Sequence, residues 1–539
     1  MDQHQSDTVW DFIVVGAGSA GCALANRLSA DPRQRVLLLE AGPRDRNPWI
    51  HIPVGYYKTM YSSLSWGYDT EPEAALGGRR VHWPRGKVLG GSSAINGLVY
   101  MRGQPEDYDQ WRQLGNVGWG WEDVLPYFKR AEDQERGASD LHGVGGPLKV
   151  SDIRDRREIC DAFVAAAQEI GLPYNDDFNG PNQEGTGFFQ TTSRDGRRCS
   201  SAVGYLKPIR GRANLKIETG ALATRLTFDG ARVTGVTYLQ DGIEKTARVG
   251  GEIVLSGGAI NSPQLLQLSG LGPADVLGDL GIPVVRDMAG VGQDLQDHLQ
   301  VRSIYKLNRA ISVNDDVNNL FRRVWIGIDY ALRRRGPLTF SAGHACAFAR
   351  VLPESETPDV QFHFIPFSAE KPGAGLHPWP GVTSSVCQMR PESRGEVTIT
   401  SADPRTHPKI VANYLSTEYD RRVLIEGLRL SRKISQAPAF ARYVSDEVEP
   451  GLDKVSDEDL MDHLRAKGGT IFHPTSTCRM GHDDRAVVDD QLRVHGVEGL
   501  RIADCSIMPR VVSGNTSAPA IMIGEKCADM MLAAAAPSH

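Results

Sequence analysis

Val9-Trp10-Asp11-Phe12-Ile13-Val14-Val15-Gly16-Ala17-Gly18-Ser19-Ala20-Gly21 is the stretch that decides the fold. Seven mostly apolar, partly β-branched residues run directly into three glycines spaced G-x-G-x-x-G. A strand of that composition is buried on both faces, as in a parallel sheet. The first glycine makes the turn, the second lets a pyrophosphate approach, and the third lets helix and strand pack closely. A helix follows over residues 22–28, then a turn at Asp31-Pro32 and a second buried strand, Arg35-Val36-Leu37-Leu38-Leu39, ending on Glu40. Glu40 stands 19 residues beyond Gly21, where a carboxylate takes ribose hydroxyls. The helix N-terminus offers free N–H groups and the positive end of its dipole to phosphates. These residues specify a βαβ dinucleotide-binding opening. An acid at position 40 disfavours NADP and leaves FAD and NAD open.

Outward from this unit, 539 residues suffice for two to four compact domains. Glycine, at 57 residues, exceeds its usual share of about 7%, as suits a chain wrapped around a large cofactor. The net charge of -6 is interspersed, which argues against a nucleic-acid partner. The longest basic run, Arg333-Arg334-Arg335, reads as a solvated helix end. Eight scattered cysteines form no CxxC and no metal-ligand spacing, so no metal is expected and the thiols read as reduced, in the cytoplasm. Residues 1–7 lack the basic and apolar parts of a signal peptide, and no apolar stretch reaches the roughly 18 residues of a spanning helix. Peripheral contact with the inner membrane stays open, and nothing marks an oligomeric state.

Residues 42–83, rich in Gly, Pro, Tyr and Trp without a steady period, read as a lid or cofactor cover. Near residue 252 a strand (Glu252-Ile253-Val254-Leu255-Ser256) leads into Gly257-Gly258-Ala259 and a helix over 262–268, so the nucleotide-binding half returns. Between about 300 and 447 short alternating strands, such as 360–365 and 395–400, predict a second, antiparallel domain. A strand over 500–503 and a helix over 519–531 precede a short alanine tail at 533–536.

Two long segments are more specific. They are Gly86-Lys87-Val88-Leu89-Gly90-Gly91-Ser92-Ser93-Ala94-Ile95-Asn96 and Gly258-Ala259-Ile260-Asn261-Ser262-Pro263-Gln264-Leu265-Leu266-Gln267-Leu268-Ser269-Gly270-Leu271-Gly272. Both resemble, position by position, the signature segments of the glucose–methanol–choline (GMC) oxidoreductases, most of all the bacterial branch of choline dehydrogenases and aliphatic primary-alcohol dehydrogenases. The resemblance extends from Phe12 to the C-terminal helix. It implies an α/β (α+β) fold: a discontinuous Rossmann-like FAD-binding domain (6–155, 200–300 and 470–535) and a substrate domain with an antiparallel sheet (156–199 and 301–469). It also implies that FAD is held by Gly16, Gly18, Ser19, Ala20, Gly21, Glu40, Ala41, Gly90, Gly91, Ser92, Asn96, Gly97, Leu98, Val99, Ala223, Asp504, Cys505, Asn515 and Thr516.

The remaining two segments carry the chemistry. Phe472-His473-Pro474-Thr475-Ser476-Thr477-Cys478-Arg479-Met480-Gly481 resembles the family's catalytic-histidine segment, and Ser513-Gly514-Asn515-Thr516-Ser517-Ala518-Pro519-Ala520 the one supplying a second polar partner. An alcohol yields a hydride from carbon as its oxygen loses a proton, so a group of near-neutral pKa is needed to take it. Histidine fits, and asparagine holds the oxygen without competing for the proton. Taken alone, His473 would be a loop anchor and Asn515 an N-cap; a helix beginning near Pro519 is expected to be capped by Asn515 or Thr516. His298 reads as structural, and Cys478 and Cys505 as buried and inert.

Two departures refine the expectation. Flavinylated relatives carry histidine where this chain has Ile95, so FAD is expected to be non-covalent. Choline dehydrogenases resemble this chain around Ser341-Ala342-Gly343-His344-Ala345-Cys346-Ala347-Phe348 but carry Glu where His344 stands. With Phe340, Phe348 and Phe472 nearby, that favours a small neutral primary alcohol over choline. The expected reaction is oxidation to the aldehyde, with electrons passing to a quinone, a carrier or oxygen. The alternatives are a choline dehydrogenase or oxygen-using alcohol oxidase and, in another class, a non-redox flavoenzyme such as a hydroxynitrile lyase or photodecarboxylase.

Overall fold

The computed structural model describes residues 8–370 and 373–535, so residues 1–7 and the end of the alanine tail lie outside the described residues. The opening folds as its pattern dictates. Strand Val9–Val15 enters helix Ser19–Leu28 through the glycines, and every residue of strand Val36–Glu40 is buried. Around them stands a seven-stranded sheet, six strands of which run in the order 215–219, 36–40, 9–15, 243–255, 232–240, 221–229, with the seventh, 500–502, beside 243–255 off this path. The first four strands are parallel and the last three form an antiparallel meander. Strand Ile243–Leu255 is longer than the 252–256 pattern foresaw. Its first half pairs with the meander and its last three residues with Leu500–Ile502.

Helix Ser517–Ala535 begins two residues before the expected start and lies on helix Ser19–Leu28 at close range. A Cβ on Gly524 would sit 2.5 Å from the Ala20 carbonyl oxygen. Beside that contact the buried Glu525 carboxylate accepts from Arg27, Arg130 and the Tyr205 hydroxyl at 2.8 Å each. These contacts place the start of the C-terminal helix next to the glycine turn.

The second sheet is antiparallel throughout: 444–449, 299–307, 381–388, 360–365, 345–349, 185–188. Strands Ala345–Ala349 and Gly381–Gln388 are wholly buried, and helix Glu418–Gln436 packs over the sheet. The short strand Gly469–Thr470 pairs with Leu299 and Gln300 at the edge of this sheet, and past it the Ile471 N–H donates to the His298 carbonyl. This antiparallel pairing brings residues 297–298 alongside 472–473. Residues 42–83 fold as short helices and turns along one side of the cavity described next. No described helix is long and apolar enough to cross a membrane.

Candidate active site

One cavity of about 770 Å³ runs between the two sheets, within the range of roughly 300–1,000 Å³ usual for ligand sites. Of the residues expected at the cofactor, Gly16, Gly18, Ser19, Ala20, Glu40, Ala41, Gly91, Ser92, Asn96, Gly97, Leu98, Val99, Ala223, Asp504, Cys505, Asn515 and Thr516 line it, as does His473. Two do not. Gly21 is the packing glycine, for a Cβ there would lie 1.9 Å from the Gly16 carbonyl oxygen. Gly90 turns away: its N–H donates to the Ala17 carbonyl at 2.8 Å, and a Cβ on it would meet Ala202 at 3.2 Å.

The nucleotide end fits a phosphate-bearing cofactor by its shape. A Cβ on Gly16 would lie 2.5 Å from the Ser256 carbonyl oxygen, whereas one on Gly18 meets nothing nearer than 3.8 Å and one on Gly258 nothing within 4 Å. The protein therefore demands glycine at 16 and leaves open space over 18 and 258, at the starts of two helices. Glu40 accepts from the Ala17 N–H at 3.0 Å and the Gly42 N–H at 2.8 Å; burial pushes its pKa up to about 7. Asp504 accepts from the Gly258 N–H, the Ser262 hydroxyl and the Ser506 N–H at 2.6–2.8 Å, which ties the second helix start to the C-terminal segment. Asn96 accepts from Arg198 at 2.6 Å. That arginine is buried, donates also to the Ile50, Ser93 and Pro53 carbonyls, and burial lowers its pKa to about 9.

At the chemical end a chain of hydrogen bonds fixes every proton. His298 Nε2 lies 2.9 Å from the Met389 carbonyl, which can only accept, so Nε2 carries the hydrogen and Nδ1 of the neutral ring is bare. His473 Nδ1 lies 3.0 Å from that bare nitrogen and must donate to it. His473 Nε2 is then an unprotonated acceptor. Asn515 agrees: its Oδ1 accepts from Gln361 at 3.1 Å, which turns its Nδ2 toward His473 Nε2, also at 3.1 Å. The imidazoles stay neutral because burial lowers the His298 pKa to about 4 and holds His473 well below its ordinary value, aided by the neighbouring His298 and His363 and the Arg85 guanidinium, so His473 lies below the near-neutral range that its sequence led us to expect of the base. Asp297 anchors the loop, accepting from the His473 N–H at 2.7 Å, from Thr470 at 2.6 Å and from Tyr414. Phe472, a non-glycine residue at φ +72°, marks stored strain beside the histidine.

The arrangement corrects the sequence reading in three places. His298 is no mere structural residue, because it sets the tautomer of His473. His344 does not face the cavity: it is fully buried, with its ring 4.0 Å from that of Phe340 and Nε2 3.2 Å from the Asp155 carbonyl. Of the three phenylalanines named with it, only Phe472 lines the cavity. The sequence reading also missed His363, which lines the cavity with both ring nitrogens buried and unpartnered, and whose pKa burial lowers to about 3. Gln361, Asp297, Arg85 and Arg302 were missed too. Only the Asp297-His298 pair, close to a glycine-rich turn, carried a local signal. Of the two expected caps, Thr516 holds the position, since its carbonyl accepts the first helical bond, from Ala520 at 3.1 Å, and Asn515 does not.

Comparison with known proteins places the chain in a family. Residues 10–300 match the N-terminal and residues 391–524 the C-terminal sequence model of the GMC oxidoreductases. The chain is 42% identical to an alcohol dehydrogenase [acceptor] of Pseudomonas putida, covering 97% of this chain and 96% of that one. It is 44% identical to a mitochondrial choline dehydrogenase of Mus musculus (97% and 89% covered). Among solved structures, pyridoxine 4-oxidase from Mesorbium loti superposes with a TM-score of 0.88 at 33% identity, over 96% and 98% of the two chains. The chain belongs to the GMC oxidoreductase family.

Proposed function

We propose that the protein oxidises a small neutral primary alcohol to its aldehyde, with non-covalently bound FAD. The observation that carries this reading is the bare Nε2 of His473, on a residue of the cavity wall held by Asn515 and His298. The alcohol hydroxyl enters where Asn515 Nδ2 now meets Nε2. His473 takes the hydroxyl proton, and Asn515 donates to the oxygen as charge builds on it. When bound, FAD supplies the acceptor for the hydride that leaves the carbinol carbon. A site built for base-assisted hydride loss favours this over the lyase and decarboxylase alternatives. Asn96, the open glycines and the start of helix Ser517–Ala535 would hold the cofactor, and Ile95 on the cavity wall can form no bond to it. Residues 6–155, 200–300 and 470–535 would make the cofactor-binding unit and the rest the substrate unit.

Charge separates the substrates. The carboxylates lining the cavity among the described residues are Glu40 and Asp504, both at the nucleotide end, whereas Arg85, Arg302 and Arg323 line it as cations. A quaternary ammonium group finds no carboxylate there, so neutral alcohols should surpass choline. Ile471 on the wall crowds the approach of oxygen, so a dye or quinone acceptor should outpace it. Eight unpaired cysteines suit the reducing cytoplasm. The test is anaerobic mixing with aliphatic and benzylic alcohols and with choline, followed by an acceptor comparison. Bleaching of the flavin fastest with a neutral primary alcohol supports the reading. No bleaching by any alcohol overturns it, and a higher kcat/KM for choline reverses the substrate assignment.

A further inference from the structure

Helix Leu320–Arg333 turns its apolar side outward. Phe321 is 86% exposed, Leu332 79% and Trp325 59%, and Leu320, Val324 and Ile328 are exposed with them. At 3.6 residues per turn these six share one face about 140° wide. The other side meets the protein: Arg323, Ile326 and Gly327 line the cavity, and the Tyr330 hydroxyl donates to the Gly196 carbonyl at 3.0 Å. A surface helix ordinarily buries its apolar stripe in its own core. A contiguous exposed patch of this kind marks an interaction surface.

The charge around it points to the partner. Residues 320–335 carry five arginines against one aspartate, in a chain of net charge -6. Asp329 and Asp316 engage Arg333 and Arg322, and the segment stays strongly basic. Trp49 and Tyr57, partly exposed and edge to face at 6.4 Å, line the same cavity as Pro337 and Leu338, which follow the helix. Aromatic side chains of this kind suit the boundary between lipid headgroups and acyl chains.

We propose that this face docks on an anionic bilayer, with the helix lying in the headgroup–acyl boundary, its arginines on lipid phosphates and the cavity mouth toward the membrane. A second copy would suit the patch less well. A two-fold pairing sets the same patch against itself, arginines facing arginines, whereas anionic lipid neutralises them. The alcohol-oxidation reading adds only what passes the mouth, an alcohol dissolved in lipid; the docking rests on the helix itself.

The experiment sediments the holoenzyme with vesicles of phosphatidylcholine and phosphatidylglycerol, and with phosphatidylcholine alone, at low salt. The wild type should bind the anionic vesicles and bind the neutral ones more weakly. A Phe321→Ser/Trp325→Ser variant should lose at least about tenfold in partitioning, since two large side chains leave the apolar phase. Neither residue lines the cavity, so its flavin absorbance and its anaerobic reduction by a soluble alcohol should match wild type. That control separates failure of docking from failure of the catalytic reading. Absence of binding to anionic vesicles, or equal binding by the variant, overturns the proposal. So does a wild-type dimer that the variant splits into monomers, for then a second copy covers the face.

Discussion

The two ends of the cavity are built by opposite means. The nucleotide end is made of backbone: glycines that leave room, helix starts that present N–H groups, and two carboxylates, Glu40 and Asp504, tied to main-chain donors. The chemical end is made of side chains, four in series from Gln361 through Asn515 and His473 to His298, anchored on the Met389 carbonyl, each fixing the proton of its neighbour. The first needs a local run of sequence and tolerates no bulk. The second needs distant segments and a neutral interior. Substitutions at the two ends should therefore fail differently.

The largest effect is expected where bulk is forbidden. Gly21→Val drives side-chain atoms into the Gly16 carbonyl and should give protein without flavin, seen as a loss of visible absorbance. A yellow Gly21→Val protein would break the distinction. At the other end His473→Ala should keep its flavin and slow anaerobic flavin reduction about 10²–10⁴-fold, the usual share of general-base catalysis. Asn515→Ala should cost about 10²-fold, the loss of one oxygen-holding donor. His298→Phe should cost about tenfold, as for a partner that only orients the reacting group. Neither should slow the His473→Ala enzyme much further, because residues acting as a unit are non-additive. Additive losses would show that the relay is not one device.

A further effect is on stability. His363 is held neutral with a pKa lowered to about 3. Below about pH 6.5 the unfolded chain takes a proton that the folded protein refuses, so stability falls as the pH drops until the folded value is reached. Between about pH 7 and pH 5 this one residue should remove about 2 kcal/mol, and His363→Phe should abolish that share. The check is the urea midpoint of both proteins at both pH values. An identical shift in the two would show that His363 is not held neutral.

How far each end was legible follows from how it is built. Residues 9–21 and Glu40 announce themselves because strand, turn, helix and acid lie within about thirty residues and each is demanded by local geometry. The pairing of His473 with Asn515 was also foreseen, though by likeness to known sequences and not by spacing. What stayed hidden was whatever the antiparallel sheet assembles. His298 meets His473 across 175 residues because Leu299 and Gln300 pair with Gly469 and Thr470. His363 reaches the cavity from the middle of a buried strand whose alternation says nothing about its partners. His344 misled because its neighbourhood resembles a substrate-facing segment, yet here the ring is buried against Phe340.

The central claim is that the bare Nε2 of His473 takes the hydroxyl proton. It is tested most directly by the rate of anaerobic flavin reduction by a saturating primary alcohol, in wild type and His473→Ala, between about pH 6 and pH 10. The account predicts a flavin-loaded variant far slower at neutral pH, whose rate climbs steadily with pH as hydroxide replaces the missing base and narrows the gap. A variant that keeps its flavin and reduces within about threefold of wild type at neutral pH, with the same pH profile, would contradict it.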